Sequence, residues 1–61
     1  MTVFDYLNRN CVPCFRIITF RNWKVIVLYD SDKELYDIPN NLYDSIVEKI
    51  YNENGIIEIE V

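Results

Sequence analysis

The chain has a single glycine, Gly55, and it directly follows Asn54. A residue with a Cβ resists positive φ, so tight reversals in a chain this poor in glycine fall to asparagine or to longer loops. Asn-Gly is the strongest short hairpin signal, and Ile57, Ile59 and Val61 alternate with Ile56, Glu58 and Glu60 behind it. Residues 56–61 therefore read as a strand and residues 47–52 as its partner. A second reading stays open. Leu42, Ile46 and Ile50, with Tyr43, Val47 and Tyr51 beside them, also fit helical spacing, which gives one helix over residues 40–52, capped by Gly55 or Asn54, before a single final strand. The preferred reading is a short helical turn at residues 40–45, then strand, turn and strand.

Upstream, Thr2 reads as an N-cap with Asp5 three residues on as a capping box, and Val3, Tyr6 and Leu7 form a short apolar stripe. This predicts a two-turn helix. Asn10 and Pro13 end it, because Pro13 lacks an amide donor and drives Val12 out of the helical region. Residues 15–21 alternate imperfectly, and residues 24–30 are β-branched through the middle. Asn22-Trp23 lies between these two strands. A two-residue turn there needs positive φ at both positions, which Trp resists, so the expectation is a hairpin with a longer loop. Residues 31–41 are polar and contain Pro39, a connection with a helical turn at residues 31–35. The predicted fold class is α+β: a short N-terminal helix, a β-hairpin, a short helical turn and a C-terminal β-hairpin in one small, mainly antiparallel sheet.

Size makes this one domain, since a chain of about 60 residues buries only roughly 60% of its unfolded surface. Apolar residues are 51% of the chain, with nine Ile, six Val, five Tyr and no Ala, enough for one β-rich core. The longest apolar run, residues 25–29, is far short of a bilayer span, and residues 1–7 lack the basic and apolar regions of a secretory signal. No membrane insertion and a cytoplasmic setting are the expectation. There the two cysteines stay reduced.

The residue inventory argues against an enzyme. There is no histidine, and outside the tyrosines only Thr2, Thr19, Ser31 and Ser45 carry hydroxyls, so triads and His-based metal sites have no material. No cofactor is expected. Cys11-Val12-Pro13-Cys14 is spaced like the active-site pair of the thioredoxin family, but it follows a helix and precedes a strand, the reverse of that order. As half of a zinc site, Cys11 and Cys14 need two more ligands, which only a second copy of the chain could supply. Asp30-Ser31-Asp32-Lys33-Glu34 spaces oxygens like a calcium loop, yet Leu35 and Asn41 stand where an EF-hand needs Gly and Glu.

Net charge is −4 and uneven. Residues 1–24 hold four bases and one acid, and residues 25–61 hold nine acids and two bases. The acidic part disfavours nucleic acid, although Arg16, Arg21 and Lys24 flank Phe20 and Trp23 on the first hairpin, a pattern able to stack on single strands. A Leu-Tyr-Asp triplet recurs every seven residues, at Tyr29-Asp30, Tyr36-Asp37 and Tyr43-Asp44 with their preceding leucines. At the surface, Tyr29, Asp30, Tyr36, Asp37, Tyr43 and Asp44 would make an acidic aromatic patch suited to a basic protein partner.

The opening Met1-Thr2-Val3, the central Ile38-Pro39, and the ending from Val47 and Ile50 through Gly55 to Ile59-Glu60-Val61 resemble a group of very small acidic proteins of clostridial and other Firmicutes genomes, many in phages or mobile elements. The resemblance implies a final hairpin in place of a long helix and a cytoplasmic accessory protein, with no catalytic residues to transfer. The leading functional expectation is a non-enzymatic protein-binding protein that inhibits a host defence or nucleic-acid enzyme by surface occupation. A cysteine-pair protein, redox-active or zinc-bridged, and a weak single-stranded nucleic-acid binder are the alternatives. A homodimer through an edge strand is also expected, with the strand ending at Val61 as the edge and Ile59→Lys as the change that breaks it.

Overall fold

A computed structural model describes residues 1–34 and 36–61. Thr2 caps helix α1 (Val3–Arg9) by the two reciprocal bonds of a capping box: its hydroxyl accepts from the Asp5 N–H and its own N–H donates to the Asp5 carboxylate, both at 3.1 Å. Strand β1 (Phe15–Arg21) follows, then β2 (Lys24–Asp30), a single helical turn α2 (Asn40–Tyr43), β3 (Lys49–Glu53) and β4 (Ile56–Glu60). The fold is α+β with one open four-stranded mixed sheet in the order β2-β1-β4-β3. Both hairpins are antiparallel, and β1 joins β4 in parallel, with Ile17 beside Ile59.

The helix over residues 40–52 does not form. The Val3 N–H donates to the Ser45 carbonyl and the Val47 N–H to the Met1 carbonyl, and Thr2 bridges to Ile46, so the segment after α2 is held extended against the chain start. Long-range pairing overrides the helical spacing of Leu42, Ile46 and Ile50. In residues 31–34 the Lys33 and Glu34 amides both donate to the Asp30 carbonyl, a tight turn; the far end of the helical turn expected there, Leu35, lies outside the described residues.

A second correction concerns the edge. The strand ending at Val61 lies inside the sheet between β1 and β3, and Ile59 is fully buried. The edges are β2 and β3. Ile59→Lys therefore strikes the core and not an exposed rim.

Alternation along the strands gives the sheet two unlike faces. On one, Ile17, Tyr29 and Ile59 pack with Val3 of α1, Leu42 of α2 and Ile38, flanked by Tyr6, Leu7, Phe15, Ile50, Ile57 and Val61. Burial of each such side chain contributes roughly 1.5–3 kcal/mol. Neither helix packs on the other face, which the register builds from Arg16, Ile18 and Phe20 of β1, Val25, Val27 and Asp30 of β2, and Glu58 and Glu60 of β4; on it Ile18 and Asp30 are nevertheless buried, and the exposed part is toward the hairpin tip. Among the described residues no helix is long and apolar enough to cross a membrane.

The first hairpin as the candidate functional site

Apolar side chains meet solvent in two places: at Met1, Phe4 and Ile46 about the chain start, with Tyr36 in the connection, and in a contiguous group on the far half of hairpin β1–β2. Phe20, Val25 and Val27 are about half exposed on the uncovered face, Ile26 is exposed on the other, and Leu28 beside them is also exposed. The register slips between Ile17 and Ile18, so Val27 pairs with Ile18 and Tyr29 with Ile17, leaving Leu28 as the extra residue of a β-bulge.

The tip is a two-residue turn and not the longer loop that the sequence predicts. Arg21 pairs directly with Lys24, and Asn22 and Trp23 both adopt positive φ, 51° and 65°. This is the type I′ pattern, which suits the twist of the strands but normally takes glycine at its second position. Trp23 holds that position and is fully exposed. Arg21 and Lys24 flank it, so the tip is basic and aromatic.

At the opposite end of the hairpin lies a polar cluster. Arg16 donates from Nε to Asp30 Oδ2 at 3.1 Å, with a longer contact of 3.6 Å from Nη1 to Glu58 Oε2. The other Asp30 oxygen accepts from the Asp32 N–H at 3.0 Å. That backbone bond, with Arg16 next, holds the Asp30 carboxyl below its ordinary pKa against an opposing effect of burial. Ser31 closes the corner: the Phe15 N–H donates to its Oγ and its own N–H donates to the Phe15 carbonyl, both at 3.0 Å.

The structure divides the six residues of the predicted acidic aromatic patch. Tyr29 and Asp30 are buried, so neither is available to a partner at the surface. The Tyr29 hydroxyl donates to the Tyr36 carbonyl at 2.8 Å, the two rings meet edge to face at 5.9 Å, and burial pushes the Tyr29 phenol up. Tyr36, Asp37 and Asp44 are exposed, and the Glu34 carboxylate raises the Tyr36 phenol. Tyr43 is half-buried, edge-on to Phe4 at 5.8 Å. The repeat thus mixes core and surface. Its first copy is a strand end facing both sheet faces, its second lies in the connection and its third spans the end of α2.

Cys11 is exposed and Cys14 half-buried, both as free thiols. The Asp32 carboxylate, helped by burial and by Asp30, raises the Cys14 thiol, which is the reverse of the shift a redox nucleophile needs. Among the described residues no group of three or more Cys, Asp or Glu side chains is placed to hold a metal ion. Cys11 lines a hollow of ≈ 320 Å³ together with Tyr6, Pro13, Asn52 and Ile57.

No protein-family model, curated protein or solved structure matches this chain.

The site therefore rests on its own geometry. The sequence signals for it were in plain view: a run of four apolar residues, 25–28, next to an aromatic-basic turn. What sequence reasoning missed is that this run forms an edge and lies beyond the reach of the helices.

Proposed function

We propose that this chain is a non-enzymatic binding protein that acts by covering a surface of another protein, with the far half of the first hairpin as its contact. The observation that carries this reading is Trp23. A fully exposed tryptophan at positive φ contributes no buried apolar surface to the fold and opposes it through its backbone. Strain of this kind clusters at ligand-contacting positions, and tryptophan is the side chain most enriched among the residues that dominate interface energetics. Phe20, Val25 and Val27 beside it supply an apolar platform, and Arg21 and Lys24 a basic rim. The matching partner offers an apolar patch edged by carboxylates. In the phage or mobile-element setting that the sequence resemblance implies, such a protein inhibits a host defence or nucleic-acid enzyme by occupying its surface.

Capture from host lysate with tagged protein tests this reading by comparison of variants. Trp23→Ala and Phe20→Ser are expected to lose a stoichiometric partner that the wild type and an Asp37→Asn, Asp44→Asn variant retain. Capture that survives the hairpin changes and fails on the acidic ones would move the contact to Tyr36, Asp37 and Asp44.

The same tip favours a second reading, stacking of Trp23 on single-stranded nucleic acid between Arg21 and Lys24. Its signature is quenching of Trp23 fluorescence by an oligonucleotide at low salt that disappears as salt rises.

A further inference from the structure

Strand β2 has the composition of an interior strand and the position of an edge. Interior strands are apolar on both faces and read as continuous hydrophobic runs. Val25-Ile26-Val27-Leu28 is such a run, with Val25 and Val27 on the uncovered face and Ile26 on the helix side, all exposed. The opposite edge, β3, is ordinary by contrast. It carries Lys49, Asn52 and Glu53 exposed, with the Lys49 ammonium 5.2 Å from the Tyr51 ring centre, which are devices that discourage pairing.

We propose that β2 pairs with β2 of a second copy, antiparallel about a two-fold axis near Val27, joining two four-stranded sheets into one of eight strands. Edge strands turn unpaired backbone N–H and C=O groups outward, and a neighbouring strand satisfies them while its side chains cover both faces at once. Such a contact covers the exposed apolar residues on both sides of the same strand at once.

Charge selects the occupant and the direction. One end of β2 is basic, with Arg21 and Lys24 about the turn. The other runs into Asp32 and Glu34 beyond the internally paired Asp30. Antiparallel self-pairing lays each basic tip against the acidic corner of the other copy. Parallel pairing would stack like on like. An isologous contact of this kind closes on itself and leaves the polar β3 edges outermost, so growth stops at two copies. An axis near Val27 sets Lys24 of one copy opposite Asp30 of the other, two residues from Asp32, and the Leu28 bulge makes the centre of the ladder irregular. A stable interface needs about 600 Å² from each copy. The fully exposed Trp23 brings roughly 150–250 Å², whereas Phe20 and the four aliphatic side chains, a third to a half exposed, bring only that fraction of their surface.

Sedimentation from micromolar to submillimolar concentration reads this directly, because the wild type is expected to pass from its 7.4 kDa monomer to a species of twice that mass. Val27→Lys should stay monomeric throughout. Lys24→Glu should weaken the dimer by roughly 2–5-fold, and Asp32→Lys added to it should restore the wild-type value. Hydrogen exchange of the unaltered chain needs no variant to fold: amides of β2 should become slower to exchange as concentration rises while those of β3 do not. A monomer at every concentration, or a dimer whose added protection lies on β3 or that persists in Val27→Lys, would overturn the pairing. It takes the same hairpin surface as the partner contact, so a second copy and a partner compete for it, and a monomer that still loses its captured partner on Trp23→Ala sinks the self-pairing alone.

Discussion

Trp23 occupies in the first hairpin the position that Gly55 occupies in the second. Each follows an asparagine, each closes a two-residue turn, and each has positive φ, 65° and 79°. Nothing lies within 4 Å of where a Cβ on Gly55 would stand, so the demand for glycine at these turns comes from the backbone and not from crowding. Only one of the two turns meets it.

Replacing Trp23 by Gly should therefore stabilise the chain. Relief of the left-handed backbone is worth about 1 kcal/mol. For a chain this short that raises the thermal midpoint by roughly 4–8 °C, measured by circular dichroism. The same variant should lose partner capture, so stability and binding move in opposite directions. A fall in the midpoint would mean that the indole supports the fold.

Ile59→Lys should abolish cooperative unfolding, because a charge at this fully buried position opposes folding by several kcal/mol in a domain with little stability to lose. Ile59→Val should fold and lose about 1 kcal/mol in urea titration. A folded Ile59→Lys protein would contradict the interior placement of β4.

Acid should unfold the chain below the ordinary carboxylate range. Asp30, through the Asp32 N–H and Arg16, and Asp5, through the Thr2 N–H and hydroxyl, both titrate below their ordinary value of 3.8 in the folded chain. Groups shifted this way contribute stability that is complete above that value and is lost as pH falls through their lowered pKa. The urea midpoint should thus be flat from neutrality to about pH 5 and fall below pH 4. Asp30→Asn should lower the midpoint at neutral pH and make the acid limb shallower.

Cys14 should alkylate slowly at neutral pH, since Asp32 disfavours its thiolate. Asp32→Asn should speed the reaction. An unchanged rate would show that access, not charge, governs this thiol.

Thr2→Ala should remove the hydroxyl that accepts from the Asp5 N–H, leaving the Thr2 N–H bond to the Asp5 carboxylate, and lower stability by about 1 kcal/mol. The effect extends past α1, because the Met1 carbonyl and the Val3 amide on either side of Thr2 hold residues 45–47.

Local signals read well wherever the deciding interaction lies within a few residues. Thr2 and Asp5 declare the start of α1, Pro13 stands beyond its end, and Asn54-Gly55 sets the second hairpin. Trp23 defied its local preference, because strand twist across Arg21 and Lys24 favours the I′ turn strongly enough to hold a bulky residue at positive φ. The candidate site was half legible. Phe20, Trp23, Arg21 and Lys24 stood out as an aromatic-basic group, whereas the Tyr-Asp triplets gave no sign that Tyr29 and Asp30 would be buried and paired while Tyr36, Asp37 and Asp44 stayed outside.

The amino-acid sequence by itself determined most of the elements: α1, the first hairpin's strands, the Asn54-Gly55 reversal and final strand, and one small α+β core, while residues 40–52 stayed open between helix and strand. Only the tertiary structure decided their order. Inserting β4 beside β1 in parallel depends on contacts 42 residues apart, such as the Thr19 hydroxyl donating to the Val61 carbonyl at 3.1 Å. No periodicity records such a pairing, since a strand's alternation specifies which side chains face the core and is silent about its neighbour. That choice put Ile59 at the centre and left the apolar run of β2 at the rim.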